Sequence, residues 1–181
     1  MCVSLTVSKG LACNSKISGI KAIGVAAWNS TALVKTATGV IDLATSYGVG
    51  TIARMEVKNT TINFVENGIS GGDSRSQGVT GNLPVILNVP TGGDVEYAAI
   101  VEQYLKGEVC LFIERKDGTI VAAGSQFGAQ AVTVDDQTGG TIGDLNGFTV
   151  TFQTMEPDFS RGYLLTGAAL TEYAAALIAV G

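Results

Sequence analysis

The chain has 181 residues, 46% hydrophobic and 15% charged, with 11 Lys+Arg against 16 Asp+Glu, no histidine and a formal net charge of −5. That length suits one domain able to bury a real core, and the acidic balance does not support a basic groove for tight nucleic-acid binding. Without histidine the Ser-His and Cys-His nucleophile pairs and the commonest metal ligand are excluded.

From Met1 the chain reads as an extended arm (1–17), with Val3, Leu5 and Val7 alternating against Ser4, Thr6 and Ser8. It never builds the uninterrupted apolar region of a signal peptide, and no apolar run approaches the ~18 residues of a membrane-spanning helix. Ile23, Val25 and Ala27 then alternate across a central strand, while Val40-Ile41-Asp42-Leu43 fits a strand or a short turn of helix.

Residues 51–90 read as a long hairpin. Its arms are Thr51 to Glu66 and Gln77 to Val89, and its tip, Asn67 to Ser76, is too rich in glycine and serine to hold a strand. On the second arm Leu83, Val85, Leu87 and Val89 share one face. The first arm changes phase between Lys58 and Thr61, which predicts a bulge or twist there, with the two halves meeting different neighbours.

A helix is predicted over 94–106, where Tyr97, Ile100, Val101, Tyr104 and Leu105 fall on one face and Gly107 is placed for a C-cap. Glu108 to Lys116 is apolar on both faces and reads as a strand buried on both sides. Asp117-Gly118 predicts a two-residue hairpin turn to Thr119–Ala123. Strands are expected at Ala131–Asp135 and Phe148–Gln153, the second stopped by Glu156-Pro157. The apolar C-terminal tail (161–181) carries a helix-prone stretch over 168–177, suited to a partner surface, a partly ordered tail or packing on its own domain. The fold class is α+β, mainly β: an antiparallel β-sandwich or barrel with one flanking amphipathic helix and a long protruding hairpin, all in a single domain, 1–181. The expected core comprises Ile23, Val25, Trp28, Leu87, Ile100, Tyr104, Leu111, Ile113, Val150 and Phe152.

Motifs for chemistry are sparse. Cys2, Cys13 and Cys110, with no CxxC spacing, give neither a zinc site nor a disulfide framework and fit a reducing compartment. Asp135-Asp136 beside a glycine-rich loop reads as a solvated turn, and Gly48-Val49-Gly50 is a fragment of a dinucleotide motif with no βαβ unit behind it. No catalytic residue, metal site or cofactor is expected. An enzyme would need a concave site gathering Lys, Asp and Glu.

Two stretches carry a resemblance. Met1-Cys2, Gly10-Leu11-Ala12-Cys13-Asn14 and Gly19-Ile20-Lys21-Ala22-Ile23 form the first. The second runs from Gly118-Thr119-Ile120-Val121-Ala122-Ala123-Gly124 through Gly139-Gly140 to Asp144-Leu145-Asn146-Gly147-Phe148-Thr149-Val150-Thr151-Phe152. Together they resemble the tail-tube-type virion structural proteins of tailed bacteriophages over about half the chain, with the alanine-rich C-terminus as the departure. The resemblance implies a β-sandwich subunit, hexameric rings stacked into a DNA-conducting tube, and hairpins contributing strands to an inner barrel. It also implies other tail or connector proteins as partners, passage of DNA without specific binding, and no membrane. The corresponding place is the virion, assembled in the bacterial cytoplasm. A capsid decoration protein, a head-to-tail ring or another minor virion protein is the alternative. For a tube, Glu56, Glu66 and Asp73 are the candidate lumen-facing acids, because an acidic wall repels phosphates. Asn67, Gly68, Gly71, Gly72, Asp73 and Ser74 are the candidate inter-ring loop.

Overall fold

A computed structural model describes residues 19–29, 33, 35–37, 39–40, 43, 47, 50–56, 62–70, 77–88, 94–138 and 146–178. In chain order the elements are β1 (Ile20–Ala27), β2 (Lys35–Thr36), β3 (Gly39–Val40), β4 (Ala53–Glu56), β5 (Val65–Ser70), β6 (Gln77–Asn88), α1 (Asp94–Lys106), β7 (Val109–Arg115), β8 (Ile120–Ala123), β9 (Ala129–Gln137) and β10 (Gly147–Glu156). A 3₁₀ turn (Ser160–Tyr163) and α2 (Ala168–Ala176) follow. The protein is mainly β, of α+β type. Eight strands form one antiparallel sheet in the order β4-β1-β7-β9-β10-β6-β5, with β8 also on β7, while β2 and β3 make a separate small hairpin.

A single register pair, Val109↔Ala129, joins β7 to β9. Side chains from both sides of that junction nevertheless share one core: Ile23, Val25, Leu111 and Ile113 from one half, Leu83, Val85, Val150 and Phe152 from the other. The sheet therefore bends at the junction and packs on itself, with α1 adding Val101 and Tyr104. It does not close into a barrel among the described residues, because β4 and β5 stand at its two ends.

The other face of β1 and β7 is buried as well, since Ala26, Cys110 and Phe112 belong to a second core with Val40, Leu43, Tyr47, Ile52, Tyr163, Tyr173 and Ala176. Doubly covered strands need apolar residues at every position, and the uninterrupted burial of β7 from Val109 to Glu114 is the expected outcome. Leu111, fully buried at 0% exposure, sits in the middle of it. Leu111→Ala is expected to lower unfolding stability by about 2–5 kcal/mol, the range for a buried leucine whose cavity cannot collapse. Denaturant melts check this, and a loss under about 1 kcal/mol would mean the two halves relax into the space.

Several expectations change. The arm Thr51–Glu66 is two strands: Ala53–Glu56 pairs with β1, while Val65–Ser70 pairs with β6 at the far end of the sheet. The halves on either side of the phase change do meet different neighbours, while residues 57–61, where a bulge or twist is expected, lie outside the described residues. The hairpin is consequently shorter than predicted, with pairing only from Val65↔Asn82 to Ser70↔Gln77. Asn67 and Gly68 lie inside that pairing and are strand, because ladder bonds to β6 override their turn preference. Gly71, Gly72, Asp73 and Ser74, and the N-terminal arm, fall outside the described residues.

The β7–β8 connection is a four-residue loop, Lys116-Asp117-Gly118-Thr119. The Arg115 N–H donates to Thr119 O at 2.8 Å, and only Gly118 takes positive φ, at 84°. Asp117 keeps negative φ because its carboxylate instead accepts from the Thr119 N–H at 3.0 Å, an Asx-type closure. Helix α1 has the predicted span, but Leu105 is 53% exposed: the buried stripe is narrower and centred on Val101 and Tyr104. Ile100 only flanks the core, and Trp28 is half-buried outside both cores, with its backbone N–H on Glu108 O at 2.8 Å and its indole N–H on Ser125 O at 3.4 Å. The C-terminal segment packs on its own domain and adds a second helix, whose Ala169, Tyr173 and Ala176 are buried.

Candidate functional site: an open sheet edge

β5 is the last strand of the sheet, and its residues are exposed except for a half-buried Glu66. On its outer side no backbone group meets a partner among the described residues. Alternation places Val65, Asn67 and Ile69 on one face and Glu66, Gly68 and Ser70 on the other. Val65 is 41% and Ile69 53% exposed. Edge strands are normally blunted by lysine, proline, a bulge or a cover. The segment Val-Glu-Asn-Gly-Ile-Ser contains no cation and no proline, and its pairing with β6 runs without a register shift.

The neighbouring edge is guarded. Pro84 lies on β6 just past Asn82, the last residue that β5 reaches. A proline offers no N–H to a further ladder, which fits β5 beginning no earlier than Val65.

Glu66 anchors the strand. The Ser160 N–H donates to its Oε1 at 2.8 Å and the Ser160 hydroxyl to its Oε2 at 2.9 Å. This predicted lumen-facing acid thus has its carboxylate engaged within the chain, holding β5 against the 3₁₀ turn. Glu56 closes β4, opposite Ala22, and Asp73 lies outside the described residues. Glu56 and Glu66 stand on the two end strands of the sheet.

Away from the shared core, β9, β10, β6 and β5 present a second face. Register places Thr133 beside Thr151, Asp135 beside Thr149, and Gln153 beside Asn82, whose side chains meet at 3.4 Å. No lysine or arginine of the described residues lies on it, and Asp135 is its one acid. Asp135 and Asp136 are exposed and belong to strand β9, not to a turn. Being consecutive, they point to opposite faces and cannot act as an acid/base pair.

Polar groups inside the protein are structural in character. Glu114, only 8% exposed, receives Arg54 through Nε at 2.8 Å and Nη2 at 2.9 Å, and the Tyr173 hydroxyl at 2.9 Å. Burial alone would raise its pKa, but hydrogen bonds from Arg54 and Tyr173, with the charges of Arg54 and Lys21, hold the carboxyl below its ordinary range. Burial pushes the Cys110 thiol up to about 12, so it is a small buried hydrophobe and not a nucleophile. No group of three His, Cys, Asp or Glu side chains placed to hold a metal occurs among the described residues, and no helix there is long and apolar enough to cross a membrane. These contacts join residues far apart in the chain and leave no local signal. The β5 edge was partly foreseeable from its cation-free, proline-free composition.

Comparison with known protein families, curated proteins and solved structures found no match to this chain.

Proposed function

We propose that this chain is a non-enzymatic structural subunit of a tailed-phage virion, of the tail-tube type, which assembles with copies of itself into rings and stacked rings. The supporting observation is the β5 edge: unpaired on its outer side among the described residues, without a cation or proline, flanked by exposed Val65 and Ile69, and braced from behind by Glu66 on Ser160. A braced, unguarded edge is costly to a soluble monomer, and pairing with another chain removes the cost. The cation-free face of β9, β10, β6 and β5 supports the second half of the reading. Phosphates sliding past such a surface meet hydroxyls and amides rather than charges that would hold them. Other tail or connector proteins would continue the stack at either end, and the finished particle would be the place of action.

Size-exclusion chromatography with negative-stain microscopy of the purified chain is expected to give rings or short tubes. Ile69→Lys, which puts a charge on the exposed edge without touching either core, is expected to leave the melting temperature nearly unchanged and the protein monomeric. A wild-type chain that stays monomeric at high concentration would sink the assembly reading. Assembly of Ile69→Lys at wild-type yield would instead remove β5 as the contact. Discrete trimers that attach only to a preformed capsid would point to a decoration protein.

A further inference from the structure

β10 ends on Glu156, opposite Val79 of β6, and its side chain is buried at 6% exposure. One carboxylate oxygen, Oε1, accepts the Gln126 N–H at 3.0 Å, and the Phe127 N–H also bonds the carboxylate. Gln126 and Phe127 lie in the corner, residues 124–128, by which the chain leaves β8 and enters β9. That corner sits where the sheet bends, so Glu156 ties the end of one half to the hinge with the other. Two buried polar atoms here have no hydrogen-bond partner among the described residues, Oε2 of Glu156 and Oγ of Ser125, with Ser125 at 3% exposure.

The charged and titratable surroundings do not favour an anion. Burial raises the carboxyl most, the two backbone N–H bonds oppose it, and the charges of Glu66 from β5 and Asp158 from the following turn add to the rise. Glu108 packs against Gly128 at the end of the corner, bringing a further acid. Cys110 from β7 and Tyr163 from the 3₁₀ turn also bear on Glu156, and both are held in their neutral forms by burial. Lys35 spends its charge on Asp158 at 2.8 Å and lies over the Tyr163 ring. Arg115 lies near Glu66, and Arg161 lies near Arg115.

We propose that Glu156 is a proton-operated latch on the 124–128 corner. With a proton on the carboxyl, the side chain stays buried and fastens the corner through Oε1. Losing that proton leaves a negative charge among acids with no cation of its own, and the carboxylate is driven toward water, loosening the corner and the exposed Phe127 it carries. Tightening on acidification is the opposite of the response of Glu114, so the two carboxyls bound a pH window of greatest rigidity.

The chain contains one tryptophan, and its indole N–H donates to Ser125 O in this corner, so Trp28 emission is a built-in reporter. Glu156→Gln keeps the shape and the Oε1 acceptor while removing the titration. Because the fold raises the Glu156 carboxyl above its unfolded value, wild type and Glu156→Gln should melt alike near pH 4. As pH rises through the folded-state value, the wild type should fall behind by a few °C, on the order of the change expected for a chain this long. Trp28 emission of the wild type should titrate over the same window, and that of Glu156→Gln should not. A melting gap that is constant from pH 4 to about 8 would overturn proton release at Glu156. A widening gap with identical Trp28 titrations in both proteins would overturn the latch, since the corner would then be indifferent to the charge.

Discussion

Glu114→Ala is expected to destabilise the protein by about 3–5 kcal/mol, the cost of removing one partner from a buried ion pair. The carboxylate holds three elements at once: β7, on which it sits, β4 through the fork of Arg54, and α2 through the Tyr173 hydroxyl. Its loss deprives Arg54, whose side chain is 23% exposed, of a two-pronged acceptor, and leaves a buried phenol without one. Gly24 on β1 makes the arrangement sterically possible. A Cβ there would lie 2.6 Å from the Tyr173 hydroxyl and 3.2 Å from the Phe112 Cβ. Equilibrium unfolding in urea at neutral pH measures the loss, and a change below about 1 kcal/mol would mean that solvent reaches Arg54 and Tyr173 and replaces the carboxylate. The pH response is a second check. The fold lowers the Glu114 carboxyl, so its contribution is present above the ordinary glutamate range and fades as pH falls through that range toward the lower folded value. The acid-side decline in stability should therefore be shallower in Glu114→Ala.

Phe112→Ala is expected to be comparably severe, with a loss of about 3–5 kcal/mol. Its ring, at 0% exposure, is the centre of the second core, meeting Tyr47 edge-on at 5.5 Å between centroids and Tyr173 tilted at 5.4 Å. Three aromatic groups meet there, so truncating the middle one removes two ring contacts and opens a cavity walled by the sheet on one side and α2 on the other. Phe112→Leu, which keeps most of the volume, should recover a large part of the loss. If thermal melts place Phe112→Ala within about 1 kcal/mol of wild type, α2 must be able to settle onto β7 without that ring.

The elements legible in the sequence were those whose determinants are local. The stripe of Tyr97, Val101 and Tyr104 located α1, the unbroken apolar run of Val109–Ile113 marked a strand covered on both sides, and the alternation in Phe148–Phe152 found β10. The change of phase between Lys58 and Thr61 was equally informative. A strand cannot keep one partner once its side chains change face, and the strands on either side have different partners, β4 on β1 and β5 on β6.

Partnership was not legible. Asn67-Gly68 has turn chemistry, yet six ladder pairs with β6 make it strand. The C-terminal alanines favour helix anywhere, but contacts with distant residues dock that helix on its own domain, among them Tyr173 reaching Glu114 across 59 positions and Ala169 and Ala176 buried in the second core. Glu66 and Glu156 look alike in sequence as acids near strand ends. One meets two donors from Ser160, while the other meets two backbone N–H groups, neighbouring acids and an unpaired oxygen. Residue type and spacing therefore determined where most of the helix and strand occur and that histidine chemistry is absent. Only the tertiary structure decided which edge stays open and which carboxyl is buried without a cation among the described residues, because both depend on free energies of contacts between distant residues, and periodicity carries no record of them.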